Sequence, residues 1–494
     1  MKTWKKFSSS LAVIGLIIGG VIISNPGAVH AVATTYVPDN VFEQKLIDLG
    51  YDSGALDDYV PTENIRYVTN LDLSTLQISN FTGILGFSLL TNLNLTGNTA
   101  VTTLNVQGLK LTSLTLTGLT SLTSLSVQNN QLTSLTLTGL SSLTTLNAYS
   151  NQLTSLTLTG LSSLTSLSVQ NNQLTSLTLT GLTSLTTLYA GSNQLTSLDA
   201  SPAVRLTSLY ASNNLLTSLT LTGLTSLTTL SAYSNQLTSL TLTGLSSLTS
   251  VVVNNNRLTK LDASPAVRLT SLSASNNQLT SLTLTGLSNL TYLYASNNRL
   301  QKVDLNKNTL LNTLKINRNK LTSIDLSKNT LLTSINIDSN SLAKLDVSKN
   351  LKLEALSASA NKLRLIDVSK NKLVTSISLS ANLLTKITIS GQIRLSSLTL
   401  NDNPVRVLDL SKSRFLSSLS LAGTNVTTLN LSKNLQLESL DIRKTKVRSV
   451  DLRLQDMGSI DARGTKVKIL VKDTKLSRLA FQTTFDAGVV FAAK

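Results

Sequence analysis

The stretch LTSLTLTGLSSLTTLNAYSNQ, from Leu132 to Gln152, is followed by a nearly identical stretch from Leu153 to Gln173. One asparagine of this phrase recurs every 21 residues along most of the chain. The unbroken series comprises Asn130, Asn151, Asn172, Asn193, Asn214, Asn235, Asn256, Asn277, Asn298, Asn319, Asn340, Asn361, Asn382 and Asn403. A fixed period of this length predicts a solenoid of stacked, equivalent coils.

Each copy follows the pattern L-x-x-L-x-Φ-x-x-N-x-L, in which Φ is apolar. In one copy Leu125 and Val127 alternate with Ser124, Ser126 and Gln128, as in a short strand that buries one face. One coil cannot bury its leucines alone, but stacked coils share an apolar interior. We therefore predict a mostly β leucine-rich repeat arc, with short parallel strands on the concave face and extended or 3-10 structure on the convex side. The asparagines are expected to form a ladder, because their amides can satisfy backbone groups at the turn after each strand.

The N-terminal residues 1–33 combine a basic start, an apolar run and a small-residue end, which is typical of a secretory signal peptide cleaved after Ala31 or Ala33. The one histidine, His30, lies in this segment, and the chain has no cysteine. Histidine-based catalysis, cysteine nucleophiles and the usual zinc ligand sets are therefore excluded from the exported chain. We expect a secreted, non-enzymatic protein without a cofactor or a transmembrane segment.

Three further segments follow the signal peptide. Residues 34–67 are expected to form an N-terminal cap, in which Asn40 and Glu43 fit a capping box at the start of a small helix and Gly50 ends it. Residues 68–467 form the solenoid, with room for about 19 coils at ~4.8 Å each. Residues 468–494 are expected to close the array as a C-terminal cap.

Tyrosines indicate where a ligand could bind. Every tyrosine of the repeats falls at an outward strand position and none falls on the convex half of a coil: Tyr149, Tyr189, Tyr210, Tyr233, Tyr292 and Tyr294. Amphipathic rings among serines and asparagines are typical of recognition surfaces for protein or glycan. A second interpretation is that tyrosine simply suits exposed strand positions.

Charge predicts a second contact surface. Residues 34–110 contain 3 basic and 8 acidic residues, whereas residues 301–494 contain 31 basic and 15 acidic residues. Cations crowd the last coils, including Arg443, Lys444, Lys446, Arg448, Arg463, Lys466 and Lys468. Such density favours anionic polymers, for example wall teichoic acids or sulfated glycans. Nucleic acid is a less favoured partner, because aromatic and motif signals for it are absent from this region.

One segment has part of the spacing of a calcium-binding loop. Asp52 and Glu63 have the first-to-twelfth spacing of an EF-hand loop. The third and sixth positions are Gly54 and Asp57, so the ligand set and the required glycine are both lost. The sequence therefore predicts no metal site.

The repeat resembles that of internalin-type surface proteins of Gram-positive bacteria, in particular the branch with a cysteine ladder. The resemblance rests on LTSIDLSKNTLLTSINIDSNS (residues 321–341) and on VPDNVFEQKLIDLGYDS (residues 37–53). It implies a non-enzymatic adhesin whose concave face binds a protein or glycan of the host surface. The cysteine-ladder position carries Ala148, Ala190, Ala211, Ala232, Ala274, Ala295 and Ala358, or Val127, Val169 and Val253.

One further departure from this family bears on location. No LPxTG-like sorting signal follows the repeats, so we expect cell-surface association with the wall that is not covalent. The alternative function is a wall-associated scaffold, held on anionic polymers by its basic C-terminal half and serving a bacterial partner.

Overall fold

The computed structural model describes residues 32–471 and 490–493. Nearly all of the predicted signal peptide, and residues 472–489 and 494 of the predicted C-terminal cap, lie outside the described residues. The side chains of residues 491–493 are likewise not described.

Eighteen parallel strands of three residues each form one continuous sheet, here called the long sheet. Each strand pairs in register with the strand one coil later, so that Leu125 lies opposite Leu146. The strands are Thr103–Asn105, Ser124–Ser126, Thr145–Asn147, Ser166–Ser168, Thr187–Tyr189, Ser208–Tyr210, Thr229–Ser231, Ser250–Val252, Ser271–Ser273, Tyr292–Tyr294, Thr313–Lys315, Ser334–Asn336, Ala355–Ser357, Ser376–Ser378, Ser397–Thr399, Ser418–Ser420, Ser439–Asp441 and Ser459–Asp461. The predicted β solenoid, a leucine-rich repeat arc with its parallel strands on the concave face, is confirmed.

The convex side consists of turns and short extended segments. Its strands form small sheets: Asn70–Asp72 with Asn92–Asn94 and Ser113–Thr115, Ser197–Asp199 with Ser218–Thr220, Lys260–Asp262 with Ser281–Thr283, Leu365–Asp367 with Lys386–Thr388, and Ser449–Asp451 with Lys468–Val471 and Val490–Ala493. Among the described residues the one 3-10 helix is Ile84–Gly86. Of the two expected convex conformations, the extended one therefore predominates.

Leucines fill the interior between the two sides. Leu122, Leu125 and Leu132 are fully buried, and the same three positions are buried in coil after coil. At about 25 cal/mol per Å² of apolar surface, this stack is the main source of stability. Each coil packs against only the coil before it and the coil after it, so the leucines form one continuous apolar core along the array.

The asparagine column links each coil to the one before it. Asn151 donates from Nδ2 to the carbonyl oxygen of Val127 in the preceding coil at 2.9 Å and to that of Ala148 in its own coil at 3.3 Å. Its Oδ1 accepts the backbone N–H of Leu132 at 3.0 Å. All fourteen asparagines of the series make the two bonds to the preceding coil.

The residue before each of these asparagines has a left-handed backbone. Its φ lies between 52° and 58° in all fourteen coils, even where it is Arg318, Ala360 or Ala381. This conformation costs an L-residue roughly 1–2 kcal/mol, so the tight turn into the asparagine is held against a local preference. The asparagine bonds and the burial of the next leucine offset that cost.

A second column of buried amides lies on the convex side of the later coils. It consists of Asn308, Asn329, Asn350, Asn371, Gln392, Asn434 and Gln455, at the position that Leu140 and Leu161 occupy in earlier coils. Asn329 donates to the carbonyl oxygens of Leu305 and Asn308 at 3.1 and 2.9 Å. The later coils thus exchange an apolar contact for coil-to-coil hydrogen bonds.

The N-terminal cap contains the strands Thr34–Tyr36 and Tyr59–Pro61, which pair antiparallel, and the helices Asn40–Asp48 (α1) and Thr62–Ile65 (α2). The expected capping box is wrong. Asp39, not Asn40, caps α1, because its Oδ1 accepts the N–H groups of Val41 and Phe42 at 3.1 Å. Glu43 turns away from the helix start and is fully buried. Gly50 follows the helix with a φ of 75°, as expected for a helix end.

Replacing Asn151 with alanine should destabilise the solenoid by about 2–4 kcal/mol, because one buried N–H and two buried carbonyl groups lose their partner. Chemical denaturation followed by circular dichroism measures the effect. Asn147→Ala is the control in the same coil, since its side chain makes one weak bond of 3.5 Å to Ser126. An equal decrease in the free energy of unfolding for the two variants would contradict the structural role of the asparagine column.

Candidate ligand-binding surface

The six tyrosines of the repeats all project from the concave side. Tyr189, Tyr233 and Tyr292 are 38%, 37% and 43% exposed, and the other three are half-buried. Seven coils separate Tyr149 from Tyr294, which at ~4.8 Å per coil is about 34 Å. The rings therefore lie along the array rather than in one pocket.

Register brings some of these rings into contact. Tyr189 and Tyr210 are direct partners on adjacent strands, and their rings stack at 4.7 Å between centroids with an interplanar angle of 4°. The hydroxyl of Tyr233 accepts a hydrogen bond from Asn213 Nδ2 at 3.3 Å. Lys315 lies over the ring of Tyr294 at 5.4 Å. The stacked pair, here called the aromatic platform, spans two adjacent coils, and Lys315 adds one cation five coils beyond Tyr210.

The surface around the platform carries no charge over nine coils. Between Ser124 and Ser296 the outward strand positions hold serine, threonine, asparagine, glutamine, glycine, valine and tyrosine. Gly191 lies beside the stacked pair, and a β-carbon there would approach the Ser212 carbonyl oxygen at 3.0 Å. Hydroxyl and amide groups beside aromatic faces suit a ligand that is uncharged and rich in hydrogen-bonding groups.

Arginines of the predicted anionic-polymer surface are paired with aspartates. Arg443 contacts Asp441 at 2.7 Å and Asp461 at 3.3 Å, and Arg463 contacts Asp461 at 2.6 Å. Burial would raise the pKa of Asp441, but hydrogen bonds from Arg443 hold that pKa below its ordinary value. The carboxylates offset part of the positive charge that the sequence suggests.

Other cations of this surface face solvent. Lys444, Lys446, Arg448, Lys466 and Lys468 are exposed, and none of them is in an ion pair between described residues. Three of them, Lys446, Arg448 and Lys466, line one open cavity of about 440 Å³. The structure therefore brings three accessible cations from two adjacent coils together around one cavity.

A groove that the sequence did not predict lies at the N-terminal end. It has a volume of about 520 Å³ and lies between the end of α1 and the first convex sheet. Its polar lining includes Lys45, Tyr51, Asn70, Asp72 and Asn92. Asn70 and Asn92 lie on neighbouring strands and share a hydrogen bond. Their separation of 22 residues is the sequence signal from which this contact could have been predicted.

A family model that describes two copies of a leucine-rich repeat matches residues 162–203. No curated protein sequence matches the chain. In the described residues no helix is long and apolar enough to cross a membrane.

Solved structures with the same fold come from distant organisms. The functional domain of InlJ from Listeria monocytogenes, which includes a cysteine ladder, is 24% identical over 89% of this chain and 84% of its own, with a TM-score of 0.56. The Leptospira interrogans protein LIC12759 is 23% identical over 76% and 97%, with a TM-score of 0.55. The ectodomain of the plant receptor kinase GASSHO1/SCHENGEN3 from Arabidopsis thaliana, solved in complex with Casparian strip integrity factor 2, is 19% identical over 88% and 69%, with a TM-score of 0.54.

At these identities the likeness establishes the fold. Solenoids of this kind generally act as interaction scaffolds. The long parallel sheet, the repeat of 21 residues and the buried asparagine column therefore establish a leucine-rich repeat fold, similar to that of the InlJ domain.

Proposed function

We propose that this chain is a secreted, non-enzymatic binding protein of a bacterial surface, and that its concave face recognises a protein or glycan of a host cell. The observation that carries the proposal is the stacked pair Tyr189 and Tyr210 in the middle of an uncharged strip. Aromatic rings of this kind contribute much of the energy at binding surfaces.

Geometry supports an elongated ligand. The long sheet is continuous, and its outward side chains repeat in register at each coil. The nearest rings to the stacked pair are Tyr149, Tyr233, Tyr292 and Tyr294. A ligand that runs across the strands could contact several of them at once, which adds weak contacts into useful affinity.

The alanine and valine column fits this proposal. Ala148, Ala190, Ala211 and their equivalents are fully buried behind the concave face. We propose that they replace the cysteine ladder, so that small apolar side chains support the sheet without a thiol. Export to an oxidising compartment would then expose no buried thiol to oxidation, since the chain has no cysteine.

Replacing both Tyr189 and Tyr210 with serine should weaken binding by at least about tenfold, or 1.4 kcal/mol, because the platform is lost. Binding is measured with the full chain on an array of neutral mammalian glycans and on intact epithelial cells. The melting temperature should not change, since both rings project outward.

The matched control is Tyr36→Ser with Tyr59→Ser. These rings also contact each other, at 5.4 Å, and are 48% and 46% exposed, but they lie in the cap. Binding that survives loss of the concave pair, or that falls equally in the control, would contradict the proposal.

A second candidate function is retention on anionic wall polymers, which would serve either the adhesin or a scaffold with a bacterial partner. It is favoured by the cavity lined by Lys446, Arg448 and Lys466. Their accessible charges lie around one cavity on two adjacent coils, where they could contact neighbouring phosphates of a chain. The contact would hold the protein at the wall without a covalent anchor.

Changing Lys446, Arg448 and Lys466 to glutamine should lower retention on purified teichoic acid at 0.15 M salt, and 1 M salt should abolish retention of the unchanged protein, because the Debye length falls from about 8 to about 3 Å. Lys307→Gln, Lys328→Gln and Lys349→Gln form the control with the same change in net charge. An equal loss in both variants would show that net charge alone, not this cavity, is responsible.

A further inference from the structure

Three carboxylates converge in the N-terminal cap. Glu43 lies on α1, and Asp52 and Asp57 lie in the loop that follows it. One oxygen from each comes within 4.8 Å of the other two. Glu43 is fully buried, Asp52 is half-buried and Asp57 is exposed, so the group opens to solvent on one side.

Glu43 is only half satisfied by the protein. Its Oε1 accepts the backbone N–H groups of Asp57 and Asp58 at 2.7 and 3.1 Å. Its Oε2 is buried and has no hydrogen-bond partner among the described residues. A buried carboxylate oxygen without a partner is costly, since its desolvation is not repaid.

Within residues 32–471 no basic side chain forms an ion pair with the group. None of the ion pairs between described residues involves Glu43, Asp52 or Asp57. Arg66 pairs with Glu63 at 2.7 Å, and Lys45 lines the groove beside Asp72. Three carboxylates thus meet, and one of them, Glu43, keeps a buried oxygen without a hydrogen-bond partner among the described residues. This arrangement favours the binding of a cation.

We propose that Glu43, Asp52 and Asp57 bind a calcium ion. All three donors are hard oxygen ligands, and two come from an irregular loop that contains Gly54 with a φ of 111°. Calcium takes six to eight oxygens in flexible geometry, whereas magnesium demands a near-ideal octahedron. Three carboxylates on such a loop, with water completing the shell on the open side, fit calcium better.

The site differs from the EF-hand spacing in the sequence. Glu63, which would be the twelfth residue of that loop, points to Arg66 instead. In the proposed site Glu43, which lies on α1 before the loop, takes the place of Glu63. A bound ion would fasten the loop to α1, and α1 covers the first apolar coil through Phe42 and Leu46.

Terbium luminescence tests the proposal on the full chain. Terbium replaces calcium at oxygen sites and emits when a nearby tyrosine is excited; Tyr51 immediately precedes Asp52. We expect saturable emission that calcium displaces, with a one-to-one stoichiometry in calorimetric titration with calcium. Asp52→Asn should weaken the affinity by at least about tenfold.

Asp57→Asn is the second test, because asparagine can still accept the Tyr59 N–H that Asp57 Oδ1 accepts at 2.9 Å. The control is Asp48→Asn, an acidic residue of α1 that is not in the group, and it should leave the affinity unchanged. Absence of calorimetric binding at 10 mM calcium would overturn the proposal. Terbium emission that is the same in Asp52→Asn, Asp57→Asn and the unchanged protein would also overturn it.

Discussion

The turn at the end of each strand leaves backbone N–H and carbonyl groups in an apolar interior, and the structure depends on the side chain that satisfies them. An asparagine amide has the donors and the acceptor that this needs. In the copy at Asn256, Nδ2 donates to Ala232 and Val253, and Oδ1 accepts the N–H of Leu237. Because two of these bonds reach the preceding coil, the asparagine column fixes the position of each coil relative to the one before it, as well as the conformation of the turn.

That spacing gives the concave face its organisation. Strands that repeat every 21 residues place residues of adjacent coils directly opposite each other, as with Tyr189 and Tyr210. The leucines hold the strands from inside, so the outward positions are free to vary without loss of packing. Recognition residues can therefore change in one column while the fold is preserved by another.

Carboxylates bind polar partners near both ends of the described array. At the N-terminus Asp39 caps α1 with one oxygen and, with the other, accepts three bonds from Ser79 and Asn80 in the first coil. Burial would raise the pKa of Asp39, but hydrogen bonds from Ser79 and Phe42 keep that pKa low. At the C-terminus Asp441 and Asp461 hold the arginines of the last coils. The net charge of a segment is thus a poor guide to the charge that a partner would meet.

Periodic features were predictable from the sequence, and long-range contacts were not. The solenoid, the buried leucines and the outward tyrosines follow from spacing alone, because each coil repeats the same environment. The spacing of Asn40 and Glu43 predicts a capping box, yet the partners of Glu43 are the N–H groups of Asp57 and Asp58 in a non-repeating loop. The second amide column was missed for another reason: Asn329 stands where earlier coils have leucine, and a polar residue at an apolar position resembles a surface residue.

Hydrogen exchange of the leucine N–H groups that the asparagines bind tests the central claim most directly. Leu132, Leu153, Leu174 and their equivalents donate to asparagine Oδ1 atoms rather than to a backbone carbonyl. We expect these amides to be protected as strongly as the strand amides throughout the array, since opening one requires the adjacent coil to separate. Exchange as fast as that of solvent-exposed turn amides would contradict the claim that the column joins the coils.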